Sequence, residues 1–314
     1  MSRETLIQLM SDYSRQLVNA QGTNLRLNND EQGALFADEL IAVEQTAYKY
    51  EMPAPVALTL FPQIPNISPG AQFTSYRMYT AQGMAKVMAS FGSDMPMMNI
   101  KGKKYFAKMF TFGLGYGFTY DEMLSAATAN TPLDSMLGVD CREMHERTIS
   151  NVIWKGDTEH DIVGFSVHPN IAVIALKGGW ETASDEDIIA DNVAMISSVN
   201  KTSIYNVNQL HYPSEAWTAI QGKKISGTSD TVLSFLRKAY PEITFRKNPD
   251  CDEDGTVMAF DMSARHFSQA TPILFRQLPP QYTGLDISKP ALSKTAGAIV
   301  RAPLAAAAST KVVG

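Results

Sequence analysis

Four aspartates in the stretch NPDCDEDGTVMAFD, residues 248–261, carry the spacing of a calcium loop. Asp250, Asp252, Asp254, Gly255 and Asp261 fall at loop positions 1, 3, 5, 6 and 12. There, carboxylate oxygens would converge on a hard cation around a glycine turn. The chemistry also needs a helix on each side. The lead-in EITFRKNP is rich in β-branched and aromatic residues and ends in proline, and the exit TVMAFDM alternates like a strand. An acidic turn between two strands is the better reading. Other chemical patterns are less complete. FGLGYGF, residues 112–118, has a glycine at every second place but no helix start after them, so it cannot cradle a phosphate. GFSVH sets Ser166 between Gly164 and His168 but lacks the second glycine of a nucleophile elbow. His145, His160, His168, His211 and His266 show no metal-ligand spacing. His145 lies beside a helical apolar stripe and is expected at a surface or interface. No carboxylate pair stands out. The sequence therefore assigns no catalytic residue and no cofactor, and Asp250, Asp252, Asp254 and Asp261 are its only metal candidates.

The 314 residues are 45% hydrophobic and 19% charged, with a net charge of −5, which is an ordinary globular balance without a basic stripe for gripping nucleic acid. Two cysteines, Cys141 and Cys251, make neither a disulfide framework nor a zinc set. The first residues, MSRETLIQLMSDYSRQL, carry charges throughout and do not read as a signal peptide.

Residues 4–20 and 34–48 have helical periodicity and flank a polar, glycine-dotted connector, so residues 1–50 read as an arm. Five prolines between Met52 and Gly70 impose extended chain and turns. In KYFAKMFTFGLGYGFTY, residues 104–120, the even positions are bulky apart from Lys108 and the odd ones mostly small. That period of two predicts one long strand. Glycines in a strand mark a bend or a second backbone close by. Residues 71–88 supply the partner strand, making a hairpin too long to bury both faces against its own domain, so its distal half is expected on another copy of the chain. Next comes a helix over 132–155, capped by Thr131 or Asp134, with Leu133, Leu137, Cys141, Met144, Thr148 and Val152 as its apolar stripe, a Glu143–Arg147 pair and a stop at Gly156. From Ser184 helices and strands alternate, including a helix capped by Ser229 or Asp230, and the end from Thr271 is strand-rich.

In that order these features resemble the major capsid proteins of tailed bacteriophages, the Hong Kong ninety-seven type of fold shared with encapsulins. The stretches PGAQFTSYRMYTAQGMAKVMASFGSDMP (69–96), FGLGYGFTYDEMLSAATANTPLD (112–134), WKGDTEHDIVGFSVHPNI (154–171) and FRQLPPQYTGLDISKPALSKTAGAIVRAPLA (275–305) carry the resemblance. It implies an α+β fold: an N-terminal arm over 1–50, a first part of a peripheral domain over 51–70, and an extended β-hairpin loop over 71–110. The peripheral domain resumes over 111–159 with a spine helix at 132–155. An α/β axial domain follows over 160–270, and C-terminal strands over 271–314 return to the peripheral domain. The implied function is structural and not enzymatic: self-assembly as hexamers and pentamers into an icosahedral shell around double-stranded DNA, built in the bacterial host cytoplasm. Scaffolding, portal and decoration proteins are the implied partners, with no membrane and no sequence-specific DNA binding. Subunit-interface candidates in the hairpin are Met84, Lys86, Met88, Phe91, Met95, Met97, Met98, Lys103 and Phe106. Gly113, Gly115 and Gly117 join them, because the hairpin's base must pass close to other backbone. The acidic turn at 250–254 becomes a hairpin in or near the axial domain. One branch of the family has a scaffolding segment ahead of the hairpin and a lysine–asparagine cross-link. The short arm here implies that the segment is absent or separately supplied, and Lys86, Lys101, Lys103 and Lys104 match no cross-linking role. An encapsulin-like compartment, and more remotely a calcium-dependent or hydrolytic α/β enzyme, are the alternatives.

Overall fold

Alternation of large and small residues across Met109 does produce extended chain, but as two strands with different partners. The computed structural model describes residues 53–85, 97–129, 131–177 and 179–313. The expected arm with its two helices, and Lys86, Met88, Phe91 and Met95, lie outside the described residues. The chain divides between Met52 and Pro53 into two units, and the described residues belong to the second. It opens with a short helix α1 (Ala57–Leu60), whose Phe61 is buried. Strands β1 (Phe73–Gln82) and β2 (Asn99–Lys108) then form an antiparallel hairpin in unbroken register from Phe73↔Lys108 to Gln82↔Asn99. Met109 interrupts the run, and its N–H donates to the Gln72 carbonyl at 2.9 Å. Beyond it β3 (Phe110–Thr119) pairs elsewhere. The covered face changes at this break. In β2 the odd side, through Ala107 and then Met109, turns inward, whereas in β3 the even side, Phe112, Tyr116 and Phe118, is covered.

Helix α2 (Tyr120–Thr128) follows directly, closed at its start by a capping box between Thr119 and Glu122. Helix α3 (Leu133–Trp154) agrees with the expected spine within a residue at each end. Its buried stripe differs from the sequence reading. Cys141, His145, Ile149, Val152 and Ile153 are inside, while Thr148 is exposed and donates to the Met144 carbonyl at 2.9 Å. The buried side steps by four from Cys141 to Ile153 and so drifts away from the stripe of mixed spacing expected from hydrophobicity. Its cap differs too. Pro132 occupies the N-cap without a side-chain bond, and Asp134 reaches instead to Lys289. The Arg147–Glu143 pair forms at 2.8 Å, and Gly156 ends the helix at φ 83°.

Short strands β4 (Gly156–Asp157), β5 (Ile162–Val163) and β6 (Ala172–Ile174) lead into an α/β region. It contains α4 (Asp185–Asn200), β7 (Gln209–Tyr212), α5 (Ser214–Gly222), α6 (Val232–Ala239), β8 (Thr244–Lys247) and β9 (Met258–Phe260). Ser184 caps α4, and Thr231, not Ser229 or Asp230, caps α6 by accepting from the Ser234 N–H at 3.3 Å. Asp230 instead holds Lys238 at 2.7 Å. After β10 (Phe267–Gln269), the strands β11 (Ile273–Gln277), β12 (Gln281–Thr283) and β13 (Asp286–Thr295) build a sheet in which β13 pairs with β3 along its whole length. β14 (Ala298–Val300) pairs with β10. The last strand, β15 (Ala306–Ser309), lies in a five-stranded sheet of order β6-β15-β9-β7-β8, within the α/β region and away from the sheet that α3 crosses. Trp180, Ile188, Met195, Tyr212 and Leu236 form the core on that sheet. A second core, with Phe61, Ile153, Trp154, Phe165, Phe260 and Phe267, joins α3 to it.

Candidate subunit interface

Strands β1 and β2 are amphipathic only at their base. There Tyr76 and Tyr105, opposite each other in the register, stack at 5.1 Å with 13° between planes. The Tyr76 hydroxyl donates to the Val300 carbonyl at 3.4 Å, and the Arg301 guanidinium lies 5.6 Å from the Tyr76 ring. Arg301 is held in turn by the Ala264 carbonyl and the Ser268 hydroxyl. Burial pushes the Tyr76 hydroxyl above its ordinary pKa, with the Tyr105 ring acting the same way and Arg301 against both. Further out no such ties exist among the described residues. No residue of either strand is buried. Tyr79 is 76% exposed, Met84 86%, Met97 85% and Phe106 65%, so the apolar side chains of the outer hairpin face solvent. Met98 and Ile100 are also exposed. Large apolar side chains left exposed together with no cover mark an interaction site.

Its electrostatics are one-sided. Arg77, Lys101, Lys103, Lys104 and Lys108 lie in the two strands, which contain no Asp or Glu. Lys103 stands 4.9 Å over the Tyr105 ring and Lys104 4.8 Å over Phe106, so each face of the ribbon carries one lysine over one aromatic ring. Lys103 pairs across the ladder with Met78, and Phe106 with Ser75.

The glycine candidates lie in the chain's own sheet. Gly113, Gly115 and Gly117 stand opposite Leu292, Pro290 and Ser288 of β13. A Cβ on Gly115 would meet the Pro290 Cα at 2.9 Å and one on Gly117 the Ile287 carbonyl at 3.1 Å, whereas one on Gly113 would find nothing nearer than 4.0 Å. The close backbone expected from the sequence is therefore β13 of the same molecule at two of the three positions.

Other candidates are placed apart. His145 is not a surface residue: it is buried under the sheet, its Nδ1 is 2.9 Å from the Ser293 hydroxyl and its Nε2 3.1 Å from the Leu114 carbonyl. Its ring also meets Phe275 edge-on at 5.4 Å. The polar imidazole thus joins α3 to β3, β11 and β13, a role that long-range pairing hides from a helical-stripe reading. Another such group is Asp134, which binds Lys289 with both oxygens at 2.6 Å and accepts from the Tyr116 hydroxyl at 3.0 Å. Lys289 holds the Asp134 carboxyl below its ordinary range. Ser166 is a turn serine, donating to the Trp154 carbonyl at 3.0 Å.

Two of the four aspartates have separate partners. Asp252 accepts from the Ser214 N–H at 2.5 Å and the Ser214 hydroxyl at 2.6 Å, closing the start of α5. Asp261 faces Asn208 and His266. Burial raises the Asp250 carboxyl. Nor is the segment a hairpin: a 3-10 turn (Pro249–Cys251) leads out of β8, and β8 and β9 each pair with β7, not with one another. Among the described residues no group of three or more His, Cys, Asp or Glu could hold a metal ion.

Comparison with known proteins places this architecture. The capsid of Myoviridae phage XM1 superposes with a TM-score of 0.78 at 16% identity, covering 89% of this chain and 99% of that one. Microbacterium phage Oxtober96 gives 0.65 at 13% identity, covering 87% and 97%. The capsid of a native GTA particle gives 0.63 at 11% identity, covering 91% and 100%. Among curated proteins no sequence matches. The fold is that of phage capsids, as the order of arm, hairpin, long helix and α/β region implied. Residues 83–312 match the family described as "Major capsid protein", and the chain belongs to that family.

Proposed function

We propose that this protein is the structural subunit of a tailed phage's icosahedral shell, assembling as hexamers and pentamers around double-stranded DNA in the host cytoplasm. It has no catalytic role in this reading. The observation that carries it is the hairpin: a ten-residue ladder with no buried residue in either strand and with aromatic, methionine and lysine side chains in solvent. A two-stranded ribbon of that kind is marginal alone in water, and a neighbouring copy supplies the missing partner surface. Residues 71–110 are then the extended loop, 132–155 the spine helix of a peripheral domain, 51–70 and 111–159 the rest of that domain before the axial domain of 160–270, and residues 1–50 the arm. The strands of 271–295 complete the sheet under the spine, and β15 belongs with the axial domain. Met84, Met97, Met98, Lys103 and Phe106 are the described hairpin residues assigned to the interface. Scaffolding, portal and decoration proteins are the expected partners.

The test separates folding from assembly. Replacing residues 79–102 with an Asn-Gly turn closes the ladder after Met78↔Lys103. None of the described residues removed is buried, so the thermal transition is expected to stay close to the full chain's while light scattering shows no large particles. Loss of the cooperative transition would place the hairpin in the subunit core, and unimpaired particle formation would remove it from the interface.

A further inference from the structure

The sheet under α3 has an open edge made of glycine. β13 is bonded on one side by β11 and β12 and on the other by β3. The Leu278 N–H donates to the Pro290 carbonyl at 2.8 Å, so the Pro290 backbone faces the β11–β12 side. In an antiparallel ladder the N–H and C=O of one residue point the same way, and the direction alternates along the strand. Gly115 lies opposite Pro290. Its N–H and C=O therefore face away from β13, and so do those of Gly113 and Gly117, two residues to either side. Thr119, of the same parity, agrees: its N–H goes to the Glu122 carboxylate at 2.8 Å and not to β13.

Among the described residues no strand pairs with this edge. It also lacks the devices that blunt edges, since Phe110–Thr119 contains no charge and no proline and its register is unbroken. All three glycines are exposed, and without side chains they leave room for another backbone. The chain's own hairpin cannot fold back onto it, because only Met109 separates β2 from β3. The surroundings complement the hairpin instead. From Phe110 to Thr128 the charged residues are Asp121 and Glu122, with no cation. Helix α2 has no buried residue and exposes Tyr120, Met123 and Leu124.

We propose that the glycine edge of β3 receives the hairpin of a second copy by strand addition, bringing that copy's lysines beside Asp121 and Glu122 and its aromatic side chains over Met123 and Leu124. The two ladders match in length, since β1 and β3 each have ten residues. Strand addition gives affinity through the main chain, and the flanking charges set the register. The proposal rests on the reading that the hairpin docks on another copy, and names where.

Gly113→Pro is the sharpest variant. A Cβ there has space, and proline removes only an N–H that faces the open edge. Gly113→Ala keeps that N–H. The expected result is a folded Gly113→Pro subunit that forms no shells beside a Gly113→Ala subunit that does; shells from Gly113→Pro as abundant as from the parent would overturn the proposal. A second measurement holds whether or not the proline variant folds. Zero-length carbodiimide coupling of assemblies made from mixed light and heavy isotope-labelled subunits is expected to join Lys101, Lys103 or Lys104 of one copy to Asp121 or Glu122 of another. Mixed-isotope links from these lysines only to other acidic residues would overturn strand addition at β3 and leave hairpin docking standing. The absence of any mixed-isotope link from the hairpin would overturn hairpin docking itself.

Discussion

His211 shows how a buried polar side chain sets a pH limit on this fold. The imidazole is enclosed, lies nearly parallel to the Trp154 ring at 6.2 Å, and keeps one neighbour at Nδ1, the Asn248 amide at 3.3 Å. Burial, and then the Arg246 charge, lower its pKa from 6.5 to about 3. Below pH 6.5 the unfolded chain therefore binds a proton that the folded chain refuses. Stability is expected to fall as the pH drops from about 6.5 towards 3, by up to roughly 1.4 kcal/mol per pH unit from this group. Melting temperature measured across that range checks it, and His211→Gln should flatten the slope even if it lowers the whole curve. Asp252 makes a different prediction. As the cap of α5 it contributes about 1 kcal/mol, so Asp252→Ala should lose that in urea denaturation while Asp252→Asn keeps an acceptor and loses less. If the aspartates do not share a cation, millimolar calcium and chelator should give the same melting temperature within about a degree, because no ligand stabilises the folded state. A calcium-dependent rise lost in Asp252→Asn would restore the metal loop.

At the scale of elements, the glycine strand has the sharpest geometric requirement. With Pro290 Cα 2.9 Å from the place of a Gly115 Cβ, Gly115→Val must push β3 and β13 apart, at an expected cost of about 1–3 kcal/mol. Gly113→Ala, with 4.0 Å of clearance, should cost far less, and paired denaturation curves decide between them. What was readable in the sequence was local. The spacing of Leu133 to Val152 placed a helix to within a residue of its ends, and the alternation around Gly115 placed extended chain. Partnership was not readable. Nothing in KYFAKMFTFGLGYGFTY says that the strand breaks at Met109, since the period of two runs straight through while the pairing passes from Tyr76 to Pro290. His145 looked like a surface residue because its hydrogen-bond partner, Ser293, is 148 positions away. Asp134 looked like a cap because Lys289 is 155 positions away. Asp252 fitted a metal spacing because capping Ser214 leaves no mark near residue 252. These last three misses are long-range polar contacts, which hydrophobic periodicity does not encode.

At the scale of the whole molecule, the described chain has two large cores and an extension that neither of them covers. The α/β region buries Trp180, Tyr212 and Leu236, and the second core buries Phe61, Phe165 and Phe267. Beyond its base at Tyr76 and Ala107 the hairpin is uncovered, yet it keeps a full ladder and five cations with no Asp or Glu in either strand. Such a part makes physical sense where other copies complete it, as in the shell proposed above. The most direct test is electron microscopy of the protein produced alone and with its assembly partners, carried to a resolution that traces β1 and β2. Closed shells with five- and six-fold clusters, in which each hairpin lies on a neighbouring subunit, are the predicted result. Only single subunits under both conditions, or shells whose hairpins fold onto their own chains, would contradict it.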